Sequence, residues 1–446
     1  MVPSSPTFCY DLRAMAEPEI FDVAIVGGGL AGLSCACETA TAGLVTAVFE
    51  LGAECGSKNV SGGRIYLGPL RRLLPEFWRD APLERLVSRE SLGLVAGASC
   101  ATVDLHSAEL IDDPFASHTV LRAKLDKWLA EQAVAAGAMV LPESRVDRAI
   151  LKEGRVTGVV VGGEEIPAHV VVAADGALSL LAQAAGLNAG PKPERLALGV
   201  KEIVTLDPGR IEDRFGLEPG RGAARMLVGD FTKGLPGGGF LYTNKDSISV
   251  GAVARLDALA SGPSGPESHA LLDALKAVPD VARLLSGGST VEYSAHVVPE
   301  TPFERTALDT PPGLLLAGDA AGMVANYGFT VRGMDFAVAS GILAGRAIVA
   351  SKEATDRGAA AREAYLRALE GSFVLRDLAA ARGVMNFLHN PRLYGPYPQA
   401  ACAAATELFR VGPDGRPFAF KPALAEARRG LSAWRVFRDL WRARKL

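Results

Sequence analysis

A glycine-rich turn set between two apolar runs restricts this chain more than any other feature. Phe21-Asp22-Val23-Ala24-Ile25-Val26 is short and rich in β-branched residues, the pattern of a strand buried in a parallel sheet. Gly27-Gly28-Gly29-Leu30-Ala31-Gly32 follows at once, then an Ala-, Cys- and Ser-rich segment of helical character to about Ala42, ended by Gly43. Val45–Phe49 predicts a second strand, closed by Glu50. In this order of strand, turn, helix, strand and acid, G-x-G-x-x-G reads as a dinucleotide site. Gly27 permits the tight turn, Gly29 lets backbone approach a pyrophosphate, and Gly32 lets helix and strand pack closely, with the helix N-terminus facing the phosphate charge. Glu50, 23 residues after Gly27, is placed to accept from a ribose 2′-hydroxyl.

Such a unit can hold NAD or FAD, and a distal motif decides between them. Gly313–Ala317 reads as another short buried strand. It meets Gly318-Asp319-Ala320-Ala321-Gly322, and a long helix beginning near Gly328–Gly333 runs to Ala350. Leu314–Asp319 resembles the strand-end signature of flavoproteins related to glutathione reductase by fold. That resemblance implies that Asp319 binds the ribityl chain and that the following helix points its N-terminus at the flavin, which makes FAD the expected cofactor. Between the motifs, Leu121–Ala136 reads as an amphipathic helix, and Met139–Leu141, Val156–Val161 and Val170–Ala173 read as strands. The last strand exits into Ala174-Asp175-Gly176. Hairpin-like pieces around Gly239–Val253 and Ser289–Val298 suggest a β-rich insert. The expected fold is therefore α/β. A discontinuous Rossmann-type, glutathione-reductase-like FAD domain (21–199 and 300–355) is joined to a β-rich substrate domain (200–299) and a helical C-terminal region (356–446), behind a disordered tail (1–20).

Composition removes other classes. Lys and Arg total 47 against 50 Asp and Glu, a net charge of −3, so nothing favours nucleic acid. No uncharged stretch reaches the length of a spanning helix, and the N-terminus lacks the apolar core of a secretory signal. The six cysteines form no C-x-x-C pair or metal framework, and six are too few for a disulfide scaffold, so no metal site is assigned and a reducing cytoplasm is expected. No second G-x-G-x-x-G unit offers a separate nicotinamide domain.

Five segments, in the same order from about Phe21 to Pro398, resemble the FixC-type flavoproteins of the electron-transfer flavoprotein–quinone oxidoreductase family. They are Gly56–Arg64, Arg122–Leu129, Gly237–Asn244, Glu292–Glu300 and Ala317–Gly322. The resemblance implies FAD contacts at Gly27, Gly29, Gly32, Glu50, Arg122, Gly318 and Asp319, a loop Ser61-Gly62-Gly63 beside the isoalloxazine, and paired glycines Gly237 and Gly238 lining a quinone pocket. It also implies electron-transfer flavoprotein and quinone as partners. Full-length members carry a C-terminal four-cysteine iron–sulfur module, but here only Cys402 lies beyond Asp356, so that cluster would reside on a separate ferredoxin-like subunit.

Two other flavin chemistries share these signals, a NAD(P)H-dependent hydroxylase and an isoprenoid double-bond reductase. Hydroxylases resemble one another in D-G-x-x-S-x-x-R, in which Asp175 through Ser179 fit as cofactor-side residues, but Ala182 stands at the arginine position. His296, in an alternating segment, reads as a hydrogen-bonded strand residue sooner than as a catalytic acid, and no catalytic residue is assigned. Lastly, Arg428–Leu446 carries seven basic residues and one acid, Asp439. Trp434, Phe437, Leu440 and Trp441 make one apolar stripe on a helix whose other face is basic. Such a helix lies on an anionic membrane or packs against protein.

Overall fold

The computed structural model describes residues 20–444 apart from 60–61, 72–75, 77, 113–115, 188–191, 261–266, 414 and 416–419. Ser61 and nearly all of the expected N-terminal tail therefore lie outside the described residues. Strand β1 (Phe21–Val26), helix α1 (Leu30–Thr41) and strand β2 (Thr46–Phe49) form the anticipated unit. β1 is central in a parallel sheet, between β2 and Glu164–Ala173, with Met139–Leu141 outside β2 and Leu314–Leu316 outside Glu164–Ala173. Buried on both faces, Val23, Ala24 and Ile25 are fully inaccessible, which is why the run lacks polar alternation. The first half of Glu164–Ala173 instead pairs antiparallel with Arg155–Val161, itself paired with Val146–Lys152.

The register sets the strand ends level. Val26 lies beside Phe49 and Ala173, Phe49 beside Leu141, and Ala173 beside Leu316. Gly27, Glu50, Ala174-Asp175 and Ala317–Asp319 thus leave the sheet along one carboxyl edge, where open α/β sheets bind ligands. Helix Met334–Ala350 lies directly on α1, because a Cβ on Gly341 would sit 2.1 Å from the Ala31 carbonyl oxygen and one on Gly345 would sit 2.7 Å from Glu38 Cβ. Since Gly341 faces Ala31 and Gly345 faces Glu38, the two helices run the same way and open on the same edge.

The second sheet is larger than its segment predicts. Nine strands follow the order Ser289–Pro299, Leu196–Thr205, Ser247–Arg255, Gly237–Thr243, Arg221–Gly229, Leu83–Ala96, Ser117–Val120 and Gly63–Tyr66, with Ser99–His106 paired to Leu83–Ala96. Four of them come from residues 63–120, which the chain order had assigned to the FAD domain. The cause is a long-range parallel pairing of Arg221–Gly229 with Leu83–Ala96, which continuity along the chain does not reveal. Side chains alternate across this sheet. Val200, Leu227, Leu241 and Val250 pack under the helices Ser268–Ala277 and Pro279–Leu285 as a second core, while Lys201, Met226, Phe240 and Val253 face the first domain.

Among the described residues, no helix is long and apolar enough to cross a membrane. The C-terminal region is helical as expected, ending in Ala433–Ala443.

Candidate functional site

One cavity of about 1720 Å³ runs from the glycine turn to the C-terminal helices. Ligand pockets commonly measure roughly 300–1,000 Å³, so this one has room for two ligands end to end. Its first end is built by the β1–α1 turn. Gly27 has φ +106°, and a Cβ there would meet the Ala174 carbonyl oxygen at 2.3 Å. A Cβ on Gly32 would meet the Gly27 oxygen at 2.1 Å, so Gly32 packs helix on strand as its place in the motif predicts. Gly29 differs from both. The nearest atom to a Cβ there is Arg122 Nη2 at 3.9 Å, so its bare face is open to the cavity. No side chain caps α1 and no acid lies in its first turn, which leaves its N-terminal amides for an anion. Glu50 lines the same end, fixed by Gly28 N at 2.8 Å and Gly52 N at 2.6 Å. Gly28, given no role in the sequence motif, is needed as well, since a Cβ on it would meet Cys55 Sγ at 2.4 Å.

Arg122 opens the helix Arg122–Ala135 (α2) and lines the cavity. Its Nε and Nη2 donate to the two carboxylate oxygens of the fully buried Asp126, both at 2.8 Å, and Asn59 also donates to Asp126. Burial works against the Arg122 charge, but Asp126 and Asp319 outweigh it and hold the guanidinium above its ordinary range. The Asp319 side chain lines the cavity, and its carboxylate has no hydrogen-bond partner among the described residues. Burial pushes its carboxyl up to about 6, with Arg122 pulling the other way. Gly318, between the lining residues Ala317 and Asp319, packs between α1 and the second helix, its Cβ position 3.0 Å from Ala31 and 3.4 Å from Ala337, while its N–H donates to Ser340 Oγ.

Asp175 borders the cavity, its Oδ2 accepting from Leu181 N at 2.9 Å to hold the turn into the short helix Leu180–Ala184, while Oδ1 has no hydrogen-bond partner among the described residues. Ala182, where hydroxylases carry arginine, is fully buried.

Beyond Asp319 the walls are Gly62, Gly63 and the helix start at Gly333 and Met334. A Cβ on Gly62 would meet Ser249 Oγ at 2.0 Å and one on Gly63 would meet Met334 Cε at 2.7 Å, so both glycines make room for neighbours. The far end is mainly apolar. Leu92, Leu94, Met226, Val228 and Gly238 form a floor from the nine-stranded sheet, and Phe387, Leu393, Tyr397 and Pro398 form a wall from the C-terminal region. Gly237 also lines this end, with backbone of Val253 where its Cβ would be. Sequence reasoning found the two glycines and missed the wall, because nothing in local pattern tells which helix faces a distant sheet.

Two basic groups stand over this floor. His296 is pushed down to about 4 by burial, with Arg122 and Lys201 adding to it. We expect an NMR titration to show the His296 ring neutral at pH 7 and protonating near pH 4. The unfolded chain binds that proton near pH 6.5, so this residue subtracts stability as pH falls from there, and the penalty levels off below the folded value. A midpoint at the ordinary histidine value would contradict the burial argument. Lys201, missed by the motifs, is 4% exposed and donates to the Gly62 carbonyl oxygen.

The residues fit FAD. A bare glycine and free helix amides suit the pyrophosphate, an acceptor sits where Glu50 is held, and an unpartnered carboxylate waits at Asp319. Comparison with known proteins agrees. Residues 22–189 match the FAD dependent oxidoreductase family and residues 384–446 match the ETF-QO/FixC family C-terminal domain. The chain is 41% identical over 397 residues to the probable electron transfer flavoprotein-quinone oxidoreductase YdiS of Escherichia coli (strain K12), covering 89% of this chain and 92% of that one. It is also 41% identical to Protein FixC of the same strain, covering 88% and 91%. The chain belongs to the FixC family. This FixC-family protein is an FAD-dependent oxidoreductase, as its sequence resemblance implied. Among solved structures, the geranylgeranyl bacteriochlorophyll reductase-like protein of Thermoplasma acidophilum aligns with a TM-score of 0.70 at 22% identity, over 93% of this chain and 98% of that one, a likeness of fold.

Proposed function

We propose that this FixC-family chain takes electrons from a reduced electron-transfer flavoprotein and passes them towards quinone, with a ferredoxin-like iron–sulfur subunit as a further partner. The observation that carries this reading is the continuity of the cavity from the dinucleotide turn into a second, apolar chamber. One end suits a charged dinucleotide and the other a flat lipophilic ring, and no second dinucleotide fingerprint offers a nicotinamide site.

In this reading Gly27, Gly29 and the α1 amides hold the pyrophosphate, Glu50 the ribose, and Asp319 and Arg122 the middle of the cofactor. Gly62 and Gly63 flank its ring. The flavin supplies the two-electron and one-electron chemistry when bound. The protein excludes water with the apolar floor and wall, and Gly237 and Gly238 contribute backbone to the quinone end, their bare Cβ positions turned onto the carbonyl oxygens of Val253 and Leu227. The likeness to YdiS, a probable electron transfer flavoprotein-quinone oxidoreductase, supports the partner and acceptor, and the absent four-cysteine set supports a separate iron–sulfur subunit.

The terminal helix supports a peripheral membrane contact. Its aromatic stripe is not packed on the protein's own core, for Trp434, Phe437, Leu440 and Trp441 are all at least half exposed. Val436 and Asp439 turn inward instead. Asp439 is gripped by Arg392, Asn390 and the Tyr397 hydroxyl, and Tyr397 also lines the apolar chamber. The helix is thus fastened beside the chamber with its apolar side outward, as a lipid-dissolved acceptor would require.

A short-chain quinone should reoxidise the dithionite-reduced protein, and Val228→Trp, which fills the apolar floor, should slow this by about tenfold, roughly 1.4 kcal/mol, at unchanged FAD content. An unchanged rate would move the ring site away from this floor.

A further inference from the structure

Strand Leu196–Thr205 buries two charged neighbours, Lys201 at 4% and Glu202 at 9% exposure, and treats them differently. Glu202 points to the second core side and is paired. Lys276 Nζ lies 2.7 Å from its Oε2, and Thr290 donates to the same oxygen at 2.8 Å. Lys201 points into the cavity, where no carboxylate among the described residues forms an ion pair with it. Its protein acceptor is the neutral Gly62 carbonyl, on the loop beside the ring end of the cofactor site.

The packing holds the side chain there. Gly251, directly across the strand pair, leaves the space that Lys201 Cβ and the Phe240 ring occupy. A Cβ on Gly251 would lie 2.9 Å from the first and 2.4 Å from the second. The ammonium stands 5.9 Å from the Phe240 ring centroid. Besides burial, Arg122 opposes its charge and Glu292 favours it, while the neighbouring His296 is neutral at pH 7. A buried amine so placed is costly to charge until a negative charge comes beside it.

We propose that Lys201 takes up a proton when the flavin is reduced and serves as the counter-ion of the reduced cofactor. The proposal rests on the placement of the cofactor ring beside Gly62 and Gly63. Two electrons enter from the reducing partner and one proton binds the ring, which leaves one net negative charge. A second proton passes from solvent to the neutral Lys201 Nζ, and both protons leave when the quinone withdraws the two electrons. Burial, which pushes the free amine well below its ordinary range, keeps it able to accept that proton. Reduction is then charge-neutral within a cavity that excludes water.

The test is the pH dependence of the flavin midpoint potential, measured by anaerobic dithionite titration of purified holoprotein across the neutral-to-alkaline range. Two protons per two electrons give a slope of about 60 mV per pH unit, and one proton gives about 30 mV. Wild type is expected to show the steeper slope. Lys201→Met should retain FAD and show the shallower one, with a lower potential at neutral pH. Lys201→Arg, charged in both redox states, should also show the shallow slope but at a higher potential than Lys201→Met. A one-proton slope in wild type overturns the proposal whatever the variants do, and so does a two-proton slope retained in Lys201→Met. Wild-type protein that binds no FAD would overturn the cofactor site itself, a different outcome from an altered slope.

Discussion

Gly29→Val is expected to purify folded, soluble and colourless. The neighbouring glycines of the turn could not be changed with that result. At Gly32 a Cβ would lie 2.1 Å from the Gly27 carbonyl oxygen and at Gly27 it would lie 2.3 Å from that of Ala174, so valine at either position must move backbone. At Gly29 nothing of the chain is closer than Arg122 Nη2 at 3.9 Å, φ is an unstrained −90°, and valine would project into the cavity where the pyrophosphate belongs. A loss of at least about 100-fold in FAD affinity, roughly 2.7 kcal/mol, is expected, with circular dichroism unchanged. Asp319→Ala should also yield pale protein by removing the unpartnered acceptor. Gly32→Val should fail to fold, and this contrast separates a ligand cradle from a packing contact. Full flavin content in folded Gly29→Val would show that the turn does not hold the cofactor.

Removing the Asp439 carboxylate should release the terminal helix. Its two oxygens take two bonds from Arg392 at 2.7 Å, one from Asn390 at 2.8 Å and one from Tyr397, with 3% of the residue exposed. Breaking one side of a buried pair costs about 3–5 kcal/mol, and Arg392 keeps enough solvent contact to place this case near the lower end. Asp439→Ala should therefore speed amide exchange across Ala433–Ala443 by roughly 100-fold, and native exchange rates would contradict the clamp. Arg392, then Tyr397 and Asn390, hold the Asp439 carboxyl well below the usual carboxylate range. The clamp's contribution is therefore complete above the unfolded value of about 3.9 and is lost only as pH falls through the lower folded value. Deleting 428–446 should abolish salt-sensitive binding to anionic vesicles with FAD retained, whereas Asp439→Ala, its aromatic stripe intact, should still bind. Equal vesicle binding by the truncated protein would remove the tail from the membrane contact.

The parts of this protein that a local pattern encodes were legible from the sequence. β1, the turn and α1 are contiguous, so the spacing of Gly27, Gly29 and Gly32 carries their geometry, and the structure gives each glycine a distinct contact. Asp319 was found because it follows its strand directly. The packing of Gly318 was hidden because its partners, Ala31 and Ala337, come from two remote helices. The strands of 63–120 join the second sheet for a similar reason, since Leu83–Ala96 finds its parallel neighbour more than a hundred residues later. Lys201 was hidden in an apolar strand where a charged pair has no periodic signature. The amphipathic tail was plain from its i, i+3 and i+7 pattern, but pattern alone does not say which face turns outward. That depends on Asp439 meeting Arg392, a contact set by the fold of the whole C-terminal region.

Anaerobic stopped-flow bleaching of the bound flavin tests the central claim most directly. Reduced electron-transfer flavoprotein, with the ferredoxin-like subunit present, should bleach it rapidly, while NADH and NADPH bleach it slowly because no nicotinamide unit and no arginine at position 182 are there to receive them. Rapid bleaching by NADPH, accelerated further by an aromatic substrate, would contradict the account and place the chain's chemistry with the flavin hydroxylases.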